Sequence, residues 1–243
     1  MKVVIDMSVK IYGKNPCQEI LATDKQILGA TLIKGSNVEF IKQLQAKKVP
    51  FTVLEKAEFE KLYTGNHQGI VLEVPDYPLL TIDETIRALQ GVRHPLVIML
   101  DGIEDPHNFG AILRTAEAGG AQAVVIMKQR AVGITGTVAK AASGALEHLQ
   151  VAETPNLSQA IEKFKKAGYW VYGTDLAATK LYTEIPTDTP LVLVIGSEGK
   201  GISRLVKENC DANVLIPMVG KANSLNASVS AGILIFDLLR RRT

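Results

Sequence analysis

The sequence predicts an α/β protein with two parts, a small N-terminal α/β module and a larger C-terminal domain built on a parallel sheet. Five continuous apolar runs lie beyond residue 94, namely PLVIMLDG, AVVIMK, YWVYGTDL, PLVLVIGSEG and NVLIPMVG. Such runs are typical of strands that are buried on both faces of a parallel sheet. Helical stretches such as FGAILRTAEAGG, NLSQAIEKFKKAG and ISRLVKENC lie between them. This alternation predicts a doubly wound domain.

The N-terminal module ends at PDYPLLT, which carries two prolines and is typical of a linker. Before it, NPCQEIL, NVEFIKQLQAKK and KAEFEKLYT favour helices, and ILGATLI, PFTVLE and GIVLEV favour strands. Asn15 is a candidate cap for the first helix. The predicted division is therefore a first domain at 1–76, a linker and helix at 77–94, and a second domain at 95–243.

The composition of the 243 residues fits an ordinary globular protein, with 47% hydrophobic and 21% charged residues. A net charge of +2 does not by itself indicate a nucleic-acid partner, and basic clusters such as Arg240 to Arg242 are interpreted as solvated. No run predicts a membrane span, and the first ten residues lack the pattern of a signal peptide. Cys17 and Cys210 are therefore expected to be reduced thiols of a cytoplasmic protein.

Ligands of such sheets bind at the carboxyl ends of the strands, so the residues that follow each apolar run are the candidates. GSEGKGIS follows one strand and resembles a phosphate-binding loop, because Gly196 and Gly201 have the right spacing. However, Ile202 stands where lysine is needed, and Glu198 would repel a polyphosphate. A nucleotide hydrolase is therefore disfavoured. The loop is either a tight turn or a set of backbone groups around a neutral adenine or ribose.

The stretch DGIEDPHNFGAILRTAEA follows another strand and begins a helix. Asn108 is either a helix cap or a site residue. Arg114 lies among apolar neighbours, so it is either a surface residue with a buried stem or a site residue directed at an anion. The acidic residues and the histidine near this point match no metal-binding spacing and are interpreted as solvated side chains, Asp101, Glu104, Asp105 and His107. No metal is predicted.

The third candidate loop is KANSLNASVS, a polar run directly before the apolar stretch Ala231 to Leu239. Asn226 or Ser228 would cap a helix there. A cap needs one such residue, and the run supplies five Asn and Ser residues. The surplus indicates that some of them bind a ligand.

These three loops together resemble the motifs of the SpoU (TrmH) family of RNA ribose 2′-O-methyltransferases. The motifs are NFGAILRTAEA, LVIGSEGKGIS and IPMVGKANSLNASVSAGILIFD, in that order, and the resemblance extends from Pro95 to the C-terminus. IYGKNPCQEIL and NHQGIVLEV resemble the subgroup with an N-terminal RNA-binding module. That subgroup includes an enzyme that methylates a guanosine ribose of 23S rRNA.

The resemblance implies S-adenosylmethionine as cofactor, RNA as substrate, a homodimer and a SPOUT fold with a deep trefoil knot. The catalytic positions that it implies are Asn108, Arg114, Glu198, Ser224 and Asn226. The cofactor would lie against Gly196, Gly199, Ile216, Pro217 and Leu225. Arginine is too basic to act as a general base, so Arg114 is expected to act electrostatically, with Asn108 orienting it or the ribose.

The leading hypothesis is methyl transfer to a guanosine of 23S rRNA. The same chemistry on tRNA is an alternative. A further alternative comes from a different class of protein, namely an RNA-binding ribosome assembly factor that keeps the fold without catalysis.

Overall fold

A computed structural model describes residues 8–129 and 133–242. Its strands and helices, in chain order, are β1 (Ser8–Tyr12), α1 (Lys14–Ala22), β2 (Gly29–Ile33), α2 (Val38–Ala46), β3 (Phe51–Leu54), α3 (Lys56–Leu62), β4 (Ile70–Pro75), α4 (Ile82–Ala88), β5 (Leu96–Asp101), α5 (Pro106–Ala118), β6 (Ala123–Met127), α6 (Gly136–Ala142), β7 (Gln150–Thr154), α7 (Leu157–Lys166), β8 (Trp170–Thr174), β9 (Lys180–Leu181), β10 (Leu191–Gly196), α8 (Arg204–Asn209), β11 (Ala212–Leu215) and α9 (Ala227–Arg242). None of the helices in these residues is long and apolar enough to cross a membrane.

The chain divides into two compact units. Unit 1 comprises Met1–Tyr77 and Gly133–Glu147, and unit 2 comprises Pro78–Val132 and His148–Thr243. The segment Gly133–Glu147 therefore groups with the N-terminal residues, whereas the sequence pattern assigned it to the second domain. The domain boundaries at residues 76 and 95 stay a prediction.

Unit 1 contains a sheet in the order β1-β4-β2-β3. Strand β4 pairs antiparallel with β1 and β2, and β2 pairs in parallel with β3. The three predicted helices and three predicted strands all form, while β1 carried no recognised signal. Asn15 is not the cap of α1, because Gly13 occupies the capping position and Asn15 lies in the first turn.

The segment Gly133–Glu147 is fixed to the rest of unit 1 by Glu147, whose side chain is 5% exposed. Its Oε1 accepts hydrogen bonds from Lys25 Nζ at 3.1 Å and from the Tyr77 hydroxyl at 2.7 Å. Burial raises the pKa of the Tyr77 hydroxyl, which therefore stays protonated and remains a donor. A buried carboxylate needs such partners because its desolvation is costly.

Unit 2 contains a sheet in the order β7-β6-β5-β10-β8-β11-β9, and every neighbouring pair is parallel. All six residues of β5 and of β10 are buried, as the continuous apolar runs predicted. From β5 the chain proceeds to β6 and β7 on one side, and it returns through β8 and β10 on the other. The switch point between β5 and β10 is where ligands of open α/β sheets bind.

Helix α9 packs against α5 and carries the third motif at its N-terminus. The two helices approach closely, since a Cβ placed on Gly119 would lie 2.1 Å from Ile235 Cγ2. This contact requires glycine at residue 119. The deep trefoil knot of the C-terminal segment stays a prediction.

The C-terminal end of α9 is anchored by arginines that the sequence pattern assigned to a solvated cluster. Arg241 donates to Asp237 Oδ2 at 2.8 Å and to the Ile185 carbonyl at 2.6 Å. Arg242 donates to the His94 carbonyl at 2.8 Å. For these two residues the interpretation as solvated charges was wrong, because their side chains bind backbone carbonyls.

We expect Arg241→Ala to destabilise the protein by about 2 kcal/mol, because it removes charge-assisted hydrogen bonds to partly buried groups. The thermal midpoint should fall by about 4–8 °C. Thermal denaturation followed by circular dichroism measures it. Arg240→Ala is the matched control, since the Arg240 side chain is 73% exposed and should contribute less. Equal melting temperatures for Arg241→Ala and the unmodified protein would contradict the anchoring role.

Candidate active site

A cavity of about 220 Å³ lies at the carboxyl ends of β8, β10 and β11 in unit 2. Its walls are formed by residues of the segments 174–176, 195–202 and 214–230 and by Lys207. Six of the predicted site residues line it, Gly196, Glu198, Gly199, Ile216, Ser224 and Leu225. Pro217 is exposed and is not a lining residue. Asn108, Arg114 and Asn226 lie outside the lining.

The loop from Gly196 to Ser203 forms a tight turn over the end of β10. Gly201 N donates to the Ser197 carbonyl at 2.9 Å. A Cβ on Gly196 would lie 2.1 Å from the Gly201 carbonyl carbon, so no other residue fits there. The tight-turn interpretation of this loop is therefore confirmed, and its backbone also borders the cavity.

Asp101 supports this loop from the end of β5. The residue is 9% exposed, and its Oδ2 accepts a hydrogen bond from Ser203 N at 2.6 Å. The interpretation of Asp101 as a solvated acid was wrong. The sequence signal for this role was the place of Asp101 at the end of the apolar run LVIMLD, where a carboxylate can contact the loop that follows a neighbouring strand.

Asn226 joins the three predicted motifs. Its Nδ2 donates to Asn108 Oδ1 at 3.0 Å and to Glu198 Oε2 at 3.3 Å. Its Oδ1 accepts from Ser228 N at 2.9 Å and from Val229 N at 3.4 Å, and so caps α9. We call Asn108, Glu198 and Asn226 the amide junction. All the hydrogen-bonding groups of the Asn226 side chain are used.

Asn108 is not the cap of α5. Asp105 holds that position and accepts hydrogen bonds from His107 N and Asn108 N, at 3.1 and 3.4 Å. The Asn108 side chain is therefore free of the capping role and contacts Asn226. The cap interpretation of Asn108 is thereby excluded, and its role as a site residue stays a prediction.

Arg114 is exposed on α5, and no hydrogen bond or ion pair joins it to any residue within 8–129 or 133–242. Six helical positions separate it from Asn108, which corresponds to about 240° around the axis. Asn108 therefore does not orient Arg114 by direct contact. Arg114 is a solvated cation that an anionic partner can reach.

Neither cysteine is poised as a nucleophile. Burial raises the pKa of the Cys17 thiol and that of the Cys210 thiol to about 12. The thiolate is the reactive form, so both are unreactive near neutral pH.

Among the described residues, no three His, Cys, Asp or Glu side chains lie close enough together to hold a metal ion.

Three charged residues that line the cavity were missed from the sequence, Asp175, Lys200 and Lys207. Asp175 ends the apolar run YWVYGTD in the same manner as Asp101 ends LVIMLD. Lys207 lies in α8 and forms an ion pair with Asp175. The position of Asp175 at a strand end was a usable signal, whereas nothing in the sequence pairs it with Lys207.

Comparison with known protein families and their members identifies the relatives of this chain. Residues 95–236 match the profile of the SpoU rRNA methylase family, and residues 10–80 match that of an RNA 2′-O ribose methyltransferase substrate-binding domain. YacO of Bacillus subtilis, named for the TrmH family of tRNA/rRNA methyltransferases, is 41% identical over 96% of this chain and 95% of its own. A Staphylococcus saprophyticus protein named for the same family is 40% identical over 96% of each chain.

Solved structures agree with this assignment. AviRb from Streptomyces viridochromogenes, crystallised with AdoMet, has a TM-score of 0.82 and covers 97% of this chain and 90% of its own. At 22% identity that likeness shows the fold alone. An RNA 2′-O ribose methyltransferase has a TM-score of 0.80 at 26% identity and covers 98% of this chain and 90% of its own. The predicted α/β fold of the SPOUT type is thus confirmed.

The family takes its methyl group from S-adenosylmethionine. The family profile matches more than half of the 243 residues, and YacO matches nearly the full length. The three motifs that the profile spans meet around one cavity and one amide junction. The chain therefore belongs to the SpoU (TrmH) family of RNA 2′-O-methyltransferases.

Proposed function

We propose that this protein transfers a methyl group from S-adenosylmethionine to the ribose 2′-OH of a guanosine in 23S rRNA. The amide junction is the observation that carries the proposal. It connects residues from the three sequence motifs, and two of those motifs also wall the cavity. A substrate ribose and a cofactor have to meet at such a point, because methyl transfer requires the reacting atoms to be aligned.

The residues that line the cavity fit S-adenosylmethionine. Apolar side chains of Val214, Leu215, Ile216 and Leu225 offer a surface for adenine. Glu198 also lines the cavity, and no cation pairs with it in the described stretches of the chain. An uncompensated carboxylate suits the positive charge of a sulfonium.

The bound cofactor supplies an electrophilic methyl group, and the residues of the chain supply position and charge. The 2′-oxygen gains negative charge as its proton leaves, so a nearby cation lowers the barrier. Arg114 offers that cation, because its exposed guanidinium has no partner among the described residues. The proton passes to water or to a phosphate oxygen of the RNA. The amide junction holds Glu198 in place beside the cavity.

An rRNA substrate is favoured over tRNA by the N-terminal match. The tRNA-modifying TrmH/SpoU enzyme of Aquifex aeolicus is 28% identical, has a TM-score of 0.55 and covers 66% of this chain. The present chain carries in addition the substrate-binding domain at residues 10–80. We infer that this domain selects a folded region of rRNA.

We infer in addition that the protein acts as a homodimer in the cytoplasm. The apolar side chains of Val229 and Phe236 on α9 are 50% and 47% exposed, and they recur with the period of one helix face. A second copy would remove this face from water. An RNA substrate and two free thiols are in keeping with the cytoplasm.

The activity is tested with purified protein, labelled S-adenosylmethionine and unmodified 23S rRNA fragments, with unmodified tRNA in parallel. We expect label at one guanosine of the rRNA, located by mapping of 2′-O-methyl marks. Label in tRNA alone would favour the tRNA alternative. Normal cofactor binding without transfer to either RNA would favour the assembly factor.

Arg114→Ala should reduce methyl transfer by about 100-fold or more, because it removes a charge that acts on the transition state. Binding of S-adenosylhomocysteine should change less than about 2-fold, since Arg114 does not line the cavity. Calorimetry and single-turnover transfer measure the two quantities. Arg93→Ala removes another exposed arginine of unit 2 and serves as the matched control. Full transfer by Arg114→Ala would exclude the proposed role.

Two substitutions at Asn226 separate its capping role from the amide junction. Asn226→Ala loses the cap and should lower stability by about 1 kcal/mol. Asn226→Asp keeps an acceptor for the amides of α9, but it loses the donor to Asn108 and faces Glu198 with a like charge.

We therefore expect Asn226→Asp to melt near the unmodified protein and to lose methyl transfer by about 100-fold. Asn156→Asp makes the same change at the cap of α7 and should leave transfer intact. Thermal melting and transfer rates are compared across the three variants. Equal transfer by the two aspartate variants would show that the amide junction has no part in catalysis.

A further inference from the structure

One wall of the cavity carries an ion pair that neither the motifs nor the family profile assigns. Asp175 follows β8 directly, and its side chain is 17% exposed. Its Oδ2 pairs with Lys207 Nζ, and its Oδ1 accepts a hydrogen bond from Ala177 N at 3.1 Å. Both Asp175 and Lys207 line the cavity. The carboxylate is thus fixed in place and keeps lone pairs for a further donor.

Strand register places Asp175 beside the apolar part of the cavity. Thr174 and Val214 are partners in the parallel pair of β8 and β11, and Asp175 N donates to the Val214 carbonyl at 2.9 Å. The residues that follow Val214 are Leu215 and Ile216, which provide an apolar surface for adenine. Glu198, in contrast, belongs to the amide junction, where the methyl group has to be delivered.

The charges indicate which kind of donor each carboxylate suits. Lys207 neutralises Asp175, so Asp175 offers hydrogen-bond acceptance with little net charge. Such a group suits neutral hydroxyls better than an ammonium. Glu198 has no cationic partner within the described residues and suits a positive group.

We propose that Asp175 accepts hydrogen bonds from the ribose hydroxyls of the bound cofactor, with Lys207 holding the carboxylate in position. This inference rests on the proposed function, because it concerns the same cavity. It adds a recognition residue that binds the nucleoside part of the cofactor and takes no part in the transfer step.

The test measures affinity by calorimetry for three ligands, S-adenosylhomocysteine, its 2′,3′-dideoxy analogue and 5′-methylthioadenosine, which lacks the amino-acid part. Asp175→Ala should weaken S-adenosylhomocysteine and methylthioadenosine alike, by about 10-fold or more. The affinity for the dideoxy analogue should fall by less than about 2-fold, since this ligand lacks the hydroxyls that Asp175 would contact. Lys207→Met keeps the carboxylate and should keep the preference for the hydroxylated ligand.

Four results would overturn the inference. The first is an affinity of Asp175→Ala for S-adenosylhomocysteine within about 2-fold of that of the unmodified protein, and the second is an equal loss of affinity for the dideoxy analogue. The third is a loss of affinity confined to S-adenosylhomocysteine, with methylthioadenosine unaffected. The fourth is an equal loss of affinity in Asp175→Ala and Lys207→Met. If Asp175→Ala does not fold, Asp175→Asn replaces it. The unmodified protein provides a further test, since equal affinities for S-adenosylhomocysteine and its dideoxy analogue would contradict the contact between Asp175 and the ribose hydroxyls. A protein that binds no S-adenosylhomocysteine would instead contradict the proposed function itself.

Discussion

The amide of Asn226 is the interaction on which the site depends. A primary amide has two donor hydrogens and one acceptor oxygen, and here each is used by a different part of the chain. The oxygen begins α9, and the hydrogens hold Asn108 of α5 and Glu198 of the glycine loop. No other side chain of similar size offers both functions, because aspartate lacks the donor and serine lacks the reach. One residue thus couples the start of α9 to the position of α5 and to that of the glycine loop.

Parallel strand order explains why those loops meet. Strands β5 and β10 are neighbours although almost ninety residues separate them, and Asp101 is the register partner of Gly196. Loops at this edge of the sheet therefore meet polar side chains from distant parts of the sequence. Asp101 and Asp175 use that proximity in similar ways, since Asp101 accepts a hydrogen bond from Ser203 N just before α8 and Asp175 pairs with Lys207 within α8. The buried interiors of the strands keep this edge rigid.

The sequence predicted the elements whose pattern is local and unambiguous. The continuous apolar runs of β5 and β10 could only be buried strands, and three ordered loops identified the family. Strand β7 was not predicted, because Gln150 and Glu153 interrupt its apolar pattern at the edge of the sheet. The cap of α5 was left open because Asp105 and Asn108 are both good capping residues, and only geometry separates them. The pairing of Asp175 with Lys207 depends on tertiary contact that no local pattern carries.

Unit 1 is discontinuous in sequence, and this limits how the protein could have been assembled from parts. Helix α6 buries Val138, Ala139 and Ala142, yet it is encoded between two strands of unit 2. A fragment cut at the linker would leave the N-terminal residues without α6 and expose apolar surface on both pieces. Exchange of the N-terminal module between relatives therefore has to carry a matching internal segment with it. The fold of unit 1 is thus inherited through two stretches of the gene, which must change together.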